Sequence, residues 1–181
     1  MISVSNQQVL LEVARAAIIA TVTGKPQPEP RADGELAAGG GAFVSLHIAG
    51  DLRGCIGHLE EDDPLVHTVA RCARLACTED PRFPAVTVAE MHRLDVEISV
   101  LGPLERVTSH QEIIVGQHGL VIERNRQRGV LLPQVATEYQ WTAERFVEQT
   151  CLKAGLLRDD WRRGAVLWRF EAQVFGAKSR G

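Results

Sequence analysis

Aromatic residues and long apolar runs are both scarce in this sequence. No apolar stretch approaches the roughly 20 residues that a membrane-spanning helix needs. The N-terminus also lacks the basic segment and apolar stretch of a secretory signal. Aromatic residues make up 5% of the chain, so aliphatic side chains must supply most of the core. These absences predict a cytoplasmic protein with no membrane partner.

An excess of basic residues is missing too. The chain has 20 Lys and Arg against 23 Asp and Glu, a formal net charge of −3. A protein that binds nucleic acid through phosphates needs a concentrated basic face. The densest basic stretch, ERNRQRG at 123–129, mixes three arginines with a glutamate, as is typical of an exposed hairpin tip. We therefore predict no nucleic-acid partner.

Motifs for metals and common cofactors are absent as well. Cys72 and Cys77 are five residues apart on one predicted helix, so they point about 140° apart around its axis. His47 and His58 share a face of a predicted hairpin, but about 13 Å of strand separates them. The sequence has no C-x-x-C pair, P-loop, dinucleotide-binding glycine motif, H-E-x-x-H or G-x-S-x-G. It predicts neither a metal site nor a cofactor.

The hydrophobic pattern predicts an α+β fold of mixed or antiparallel sheets with flanking helices. The chain has 181 residues, 45% of them hydrophobic, enough for a sizeable core without disulfides. Helical and strand patterns follow one another irregularly, with hairpins between them, which disfavours a doubly wound parallel sheet. The predicted helices are 5–23, 64–77, 87–94, 143–154 and one or two turns that begin at Ser109. Ser5 is the expected N-cap of the first helix and Asp63 that of the second. The predicted strands are 42–48, 52–57, 95–100, 119–122, 130–133 and 166–175.

The most unusual stretch is Leu52-Arg53-Gly54-Cys55-Ile56-Gly57, hereafter the LRGCIG segment. Glycine weakens a strand unless another group must approach the backbone closely. Cys55 has three possible roles. In the first, it is a nucleophile or redox thiol whose thiolate is favoured by Arg53. In the second, it is a small buried apolar residue. In the third, it contacts a ligand. The residues alone leave these three alternatives open.

The hairpin register bears on that choice. A two-residue turn at Gly50-Asp51 places Leu46 opposite Cys55, so that the thiol shares the core face of the hairpin. Arg53 then lies on the same face, where its guanidinium must reach the rim or meet a partner. A bulge in the turn would shift the register by one residue and reverse the face.

Five blocks occur in order along the chain: LRGCIG at 52–57, EDPRF at 79–83, EISVL at 97–101, LLPQV at 131–135 and KAGL at 153–156. They resemble the signature blocks of the AMMECR domain family, known in bacteria and archaea as AmmeMemoRadiSam system protein A. The resemblance covers residues 8–175, nearly the whole chain.

This resemblance implies a single domain over 1–181 made of two closely packed lobes. The larger lobe would come from both chain ends, and the LRGCIG segment would lie at or near a cleft beside the smaller lobe. The resemblance also implies a Memo-like protein and a radical SAM protein as partners. It supplies no reaction, because the activity of the family is not established, and it leaves a homo-oligomer open.

Two functional hypotheses follow. The first is an enzyme or enzyme subunit with Cys55 and Arg53 as catalytic residues; the second is a non-catalytic protein-binding module of the same system. The candidate binding residues are Gly54, Gly57, Arg82, Glu97, Gln134 and Lys153. In the enzyme the last four would polarise or orient a substrate, and in the module the glycines would let a partner's backbone or a ligand come close. Three of these also have ordinary structural explanations. Glu97 fits a solvated strand position, Gln134 a bond to neighbouring backbone, and Lys153 the end of a helix.

Overall fold

The computed structural model describes residues 2–59 and 62–177, and the chain divides into two compact units. The larger unit takes both chain ends, with the residues up to Leu101 and those from Gln173 onward. The smaller unit is Gly102–Ala172. The predicted α+β class, with a larger part built from both ends of the chain, is confirmed.

The larger unit contains two helices and a sheet. The helices are α1, Val4–Thr23, and α2, Leu65–Thr78. The strands are β1, Ala42–Ile48, β2, Asp51–His58, β3, Leu94–Leu101, and the end of β7, Val166–Ala177. The strand order is β2-β1-β3-β7, and β1 runs antiparallel to both β2 and β3. Two 3-10 turns, Gly34–Ala37 and Val88–Arg93, complete the unit.

Both helices pack on one face of this sheet. Leu10 and Val66 are fully buried in a core that also contains Val44, Leu46 and Ile98. Alternate residues of a strand point to opposite faces. The residues between these core positions therefore lie on the other face of the sheet, hereafter the outer face.

Two helix starts differ from the prediction. Ser3, rather than Ser5, caps α1, and its Oγ accepts a hydrogen bond from the Asn6 N–H at 3.3 Å. Asp63 does not cap α2, because the helix begins at Leu65 with Pro64 at the N-cap position, and the Asp63 carboxylate accepts a hydrogen bond from Arg71. Within the described residues, no helix is both long and apolar enough to cross a membrane.

The smaller unit has its own core. Its strands are β4, Glu105–Val107, β5, His118–Arg124, β6, Gln127–Leu131, and the first part of β7, all paired antiparallel. Its helices are α3, Pro133–Glu138, and α4, Ala143–Lys153, with 3-10 turns at His110–Glu112 and Asp160–Arg162. Phe146 and Val147 pack against Leu120 and Ile122. Helix α3 was not predicted, because Pro133 marked only the end of a strand.

The hairpin of β1 and β2 has a different register from the one expected. Its turn residues are Ala49 and Gly50, both with positive φ, at 54° and 91°. Leu46 pairs with Gly54, whereas His47 pairs with Leu52, so Arg53 is the extra residue of a β-bulge. The expected pairing of Leu46 with Cys55 is therefore wrong, and the bulged alternative applies.

Candidate functional site

The bulge places Cys55 on the outer face of the sheet. Cys55 pairs with Ser45 on β1, and Ser45 pairs with Glu97 on β3. Directly paired residues of antiparallel strands point to the same side. Cys55, Ser45 and Glu97 therefore form one row across three strands, hereafter the outer row. Adjacent strands lie about 4.8 Å apart, so roughly 10 Å separates the Cα atoms of Cys55 and Glu97.

The outer row is recessed from solvent. Ser45 is 7% exposed, and Ser99, two residues beyond Glu97 on the same face, is 1% exposed. Cys55 and Glu97 are half-buried. The Ser45 hydroxyl donates a hydrogen bond to the Cys55 sulfur over 3.2 Å. The row and Ser99 thus bring a thiol, two hydroxyls and a carboxylate to one partly buried site, hereafter the recess.

Both glycines of the LRGCIG segment are required by packing within the larger unit. A Cβ on Gly54 would lie 2.3 Å from the carbonyl oxygen of Ala76 in α2. A Cβ on Gly57 would lie 2.2 Å from the ring of Phe43, its cross-strand neighbour on the outer face. Glycine is therefore the residue that lets helix α2 and the Phe43 ring approach this strand.

Asp80 joins the edge of the sheet to the loop after α2. The Cys55 backbone N–H donates to Asp80 Oδ2 at 2.8 Å. Arg82 donates to Asp80 from its backbone N–H at 3.1 Å, from Nε at 2.9 Å and from Nη2 at 2.7 Å. These bonds, with those from Arg82 the strongest, hold the pKa of the Asp80 carboxyl well below its usual range despite burial.

Asp80 was not among the predicted site residues. Strand β2 is an edge strand, whose outward N–H groups need a partner. Asp80 supplies one with a side chain that is 3% exposed. The sequence signal was the Asp80-Pro81 pair, because Asp often bonds backbone two residues ahead in a turn.

Arg82 presents a fixed guanidinium at the rim of the recess. Its side chain is 54% exposed, and its Cζ lies 5.5 Å from the centroid of the Phe83 ring. The hydrogen bonds to Asp80 raise the pKa of Arg82 and use Nε and one donor of Nη2. A guanidinium has five N–H donors, and no described residue takes those on Nη1. Arg82 therefore has donors left for a ligand.

The Arg53 side chain binds Glu90 and the backbone before it, rather than Cys55 or Asp80. It forms a forked pair with Glu90, from Nε at 2.8 Å and from Nη2 at 3.2 Å. It also donates to the carbonyl oxygens of Pro84 at 2.9 Å and Ala85 at 3.3 Å. The bonds from Arg53, followed by those from Thr87, lower the pKa of Glu90 to about 2. Arg53 thus ties residues 84–90 to the hairpin.

The surroundings of Cys55 disfavour a thiolate. Burial raises the pKa of this thiol. The Ser45 hydrogen bond and the charge of Arg82 act in the opposite direction, and the charges of Asp80 and Glu97 raise the pKa further. Burial also raises the pKa of Cys77, to about 12, and that of Cys151. Cys55 is thus a protonated thiol at neutral pH, influenced by Arg82 rather than by Arg53.

The remaining predicted residues lie in the smaller unit. Lys153 is the exposed last residue of α4, where its charge favours the helix dipole. Gln134 is the second residue of α3, and its buried Oε1 has no hydrogen-bond partner among the described residues. In the larger unit the structure brings together Cys55, Arg82 and Glu97. No three potential metal ligands converge anywhere in the described chain.

Comparison with known proteins gives one consistent family. A model of the AMMECR1 family matches residues 11–175. A protein of Methanosarcina barkeri is 40% identical over 178 residues, which cover 93% of this chain and 88% of that relative. A protein of Methanocaldococcus jannaschii is 45% identical over 144 residues, 75% of this chain and 72% of that relative.

A solved structure has the same fold. It is the crystal structure of an uncharacterised protein from Pyrococcus horikoshii, 38% identical in sequence. The superposition has a TM-score of 0.87 and covers 95% of this chain and 92% of the other. The similarity extends over both units.

Proposed function

The chain belongs to the AMMECR1 family, and from this premise we propose that it acts as a non-catalytic protein-binding module whose docking site is the recess around Cys55. The observation that carries the proposal is the chemistry of that cysteine. Its thiol is half-buried, accepts a hydrogen bond from Ser45 and has a raised pKa. The site is therefore suited to non-covalent recognition.

Covalent catalysis at Cys55 would need a different environment. A nucleophilic cysteine is activated by an adjacent base or by a cation that stabilises the thiolate. Two carboxylates act against the thiolate here, from Asp80 and Glu97. Arg53, the cation expected to favour it, is bonded to Glu90 and to two backbone carbonyls. The alternative of an enzyme built on Cys55 and Arg53 therefore has less support than a docking site.

Several features of the recess favour recognition. Arg82 is held rigidly by Asp80, and the two serine hydroxyls sit on a sheet that helices α1 and α2 support from behind. Groups that are already in place lose little conformational freedom when a partner binds. The partners we propose are those that the family resemblance implies, a Memo-like protein and a radical SAM protein in the cytoplasm.

The experiment measures binding of this chain to those two proteins. Both are encoded by the same genome as this chain, and each is purified separately. We expect at least one of them to bind the immobilised chain. The Cys55→Ala variant should bind within about twofold, because removing a neutral thiol deletes only one weak hydrogen bond. If neither protein binds the wild-type chain, the docking role toward these two partners is overturned. Loss of binding in Cys55→Ala would instead support the hypothesis that the Cys55 thiol itself is functional.

A further inference from the structure

We propose that the recess binds an extended partner segment of mixed charge, with a basic side chain at Glu97 and an acidic side chain at Arg82. The inference rests on the proposed docking role and specifies the chemistry that the docking segment carries. Three observations support it: the absence of a hydrogen-bond donor to the Glu97 carboxylate among the described residues, the free N–H donors of Arg82, and the spacing between these two side chains.

Glu97 differs from the other half-buried or buried carboxylates near it. Asp80 is paired with Arg82, and Glu90 is paired with Arg53. The Glu97 carboxylate accepts no hydrogen bond from any residue in the ranges 2–59 and 62–177. A carboxylate taken partly out of water is unfavourable until a cation meets it. Glu97 is therefore placed to receive an ammonium or guanidinium group.

The strand beside Glu97 presents no side chain next to the carboxylate. A Cβ built on Gly176, on β7, would lie 3.8 Å from the Glu97 Cβ and 3.2 Å from the Val96 carbonyl oxygen. Glycine within a strand often marks a place where another molecule comes close. A lysine side chain is long and flexible, so its ammonium can reach a carboxylate that sits below the surface.

Arg82 provides the opposite charge at the rim. Asp80 fixes the plane of its guanidinium, and the donors on Nη1 point to no described residue. A guanidinium with two adjacent free N–H groups binds a carboxylate in a forked geometry. The aspartate behind Arg82 partly neutralises it, so recognition depends on hydrogen-bond geometry as well as on charge.

The spacing favours a peptide segment. Asp80, which holds Arg82, accepts the outward N–H of Cys55 on the edge strand, whereas Glu97 lies two strands further into the sheet in the same row. Arg82 and Glu97 are therefore on opposite sides of Cys55. In an extended peptide, residues i and i+2 point the same way about 7 Å apart, and their side chains add reach. An acidic and a basic residue two positions apart can thus meet Arg82 and Glu97 together. A free α-amino acid, with both charges on one carbon, is too short.

The test uses capped pentapeptides and the amide spectrum of the ¹⁵N-labelled chain. The mixed probes are acetyl-Ala-Lys-Ala-Glu-Ala-amide and its reverse, acetyl-Ala-Glu-Ala-Lys-Ala-amide. The neutral probe has Gln at both charged positions. We expect one mixed probe to shift the amide signals of Ser45, Cys55 and Glu97, and the neutral probe to leave them in place. Glu97→Gln should weaken that binding about tenfold, the loss of one charge-assisted bond.

Charge reversal gives a result that a purely structural role of Glu97 would not. Glu97→Lys should invert the preference, binding acetyl-Ala-Glu-Ala-Glu-Ala-amide more tightly than the mixed probe. Glu12→Lys is the matched control, because Glu12 lies on α1, which packs on the opposite sheet face. That variant should keep the wild-type preference. Spectra that superimpose away from the recess show that each variant is folded.

Two outcomes overturn the inference: neither mixed probe shifts the outer row, or Glu97→Lys keeps the wild-type order of probes. These outcomes are separable from failure of the docking role. Partner binding without peptide binding rejects only the charge assignment. Peptide binding without partner binding rejects the Memo-like and radical SAM proteins as partners and keeps the recess as a peptide site.

Discussion

Replacing Arg53 by alanine is expected to lower the free energy of unfolding by about 3 kcal/mol. The substitution removes four hydrogen bonds, two of them to Glu90 and two to the carbonyl oxygens of Pro84 and Ala85. The Arg53 side chain is only 13% exposed, so water replaces these bonds poorly. Glu90 is left without its cation. Urea denaturation of wild type and variant measures the effect.

Arg31→Ala is the control for that measurement. Arg31 also pairs with a carboxylate, that of Asp33, but its side chain is 88% exposed. Exposed ion pairs contribute about 0 to 1 kcal/mol, so this variant should unfold close to the wild type. An Arg53→Ala protein as stable as Arg31→Ala would show that Arg53 is not a structural tie. Its assignment as a catalytic residue would then regain weight.

The second large effect is expected for Gly54→Ala, a loss of about 3 kcal/mol or more. The added Cβ would lie 2.3 Å from the Ala76 carbonyl oxygen. That atom belongs to the backbone of α2, so it cannot rotate away as a side chain would. Either the helix or the edge strand must move, and both belong to the same core. The same denaturation experiment, with the unfolding slope compared between variants, measures the loss.

Gly40→Ala is the matched substitution for Gly54→Ala. A Cβ on Gly40 would lie 3.7 Å from a methyl group of Leu65, an ordinary contact. We expect its stability to stay within about 0.5 kcal/mol of the wild type, as for most surface substitutions. Equal stabilities of the two variants would mean that helix α2 does not press on the LRGCIG segment.

Much of the fold follows from local patterns in the sequence. The strand at 42–48 and the helix ending at Gly24 were predicted at the observed positions, because alternation and a left-handed C-terminal glycine are strong local signals. The hairpin register was not. Its turn uses Ala49 with a positive φ of 54°, a conformation that non-glycine residues seldom adopt. Gly50-Asp51 was the better candidate on sequence grounds.

The candidate site was only partly predictable because its contacts are long-range. Cys55 and Asp80 are 25 residues apart, and Arg53 and Glu90 are 37 apart. Nothing local in the chain encodes either pairing. Sequence patterns did place Glu97 on the polar face of its strand, which the structure confirms. They could not show that this face also carries Cys55.

The structure changes the interpretation of the LRGCIG segment. Arg53, Gly54 and Gly57 each have a packing or tethering role within the larger unit, and Ile56 packs against its core. An unusual combination of glycine, arginine and cysteine suggested reactive chemistry. Most of that combination instead serves to hold a helix, a loop and an aromatic ring against an edge strand. The Cys55 side chain lines the recess, where its sulfur accepts a hydrogen bond from Ser45.

The most direct measurement is the pH dependence of Cys55 alkylation in the native protein. Iodoacetamide labelling from pH 7 to 10.5, followed by mass spectrometry of the Cys55 peptide, gives the rate at each pH. Only the thiolate reacts. A raised pKa keeps the thiol protonated at neutral pH, so the rate should still be rising above the ordinary thiol value of about 8.5.

This experiment distinguishes the accessibility of the Cys55 sulfur from the ionisation of its thiol. Half-burial slows the reaction by the same factor at every pH, whereas the pKa sets the midpoint of the profile. Circular dichroism at each pH confirms that the chain is still folded. We expect a midpoint above that of the urea-unfolded protein and a rate at pH 7 below that of glutathione. A plateau already reached near neutral pH, with a rate above that of glutathione, would contradict a protonated Cys55 thiol.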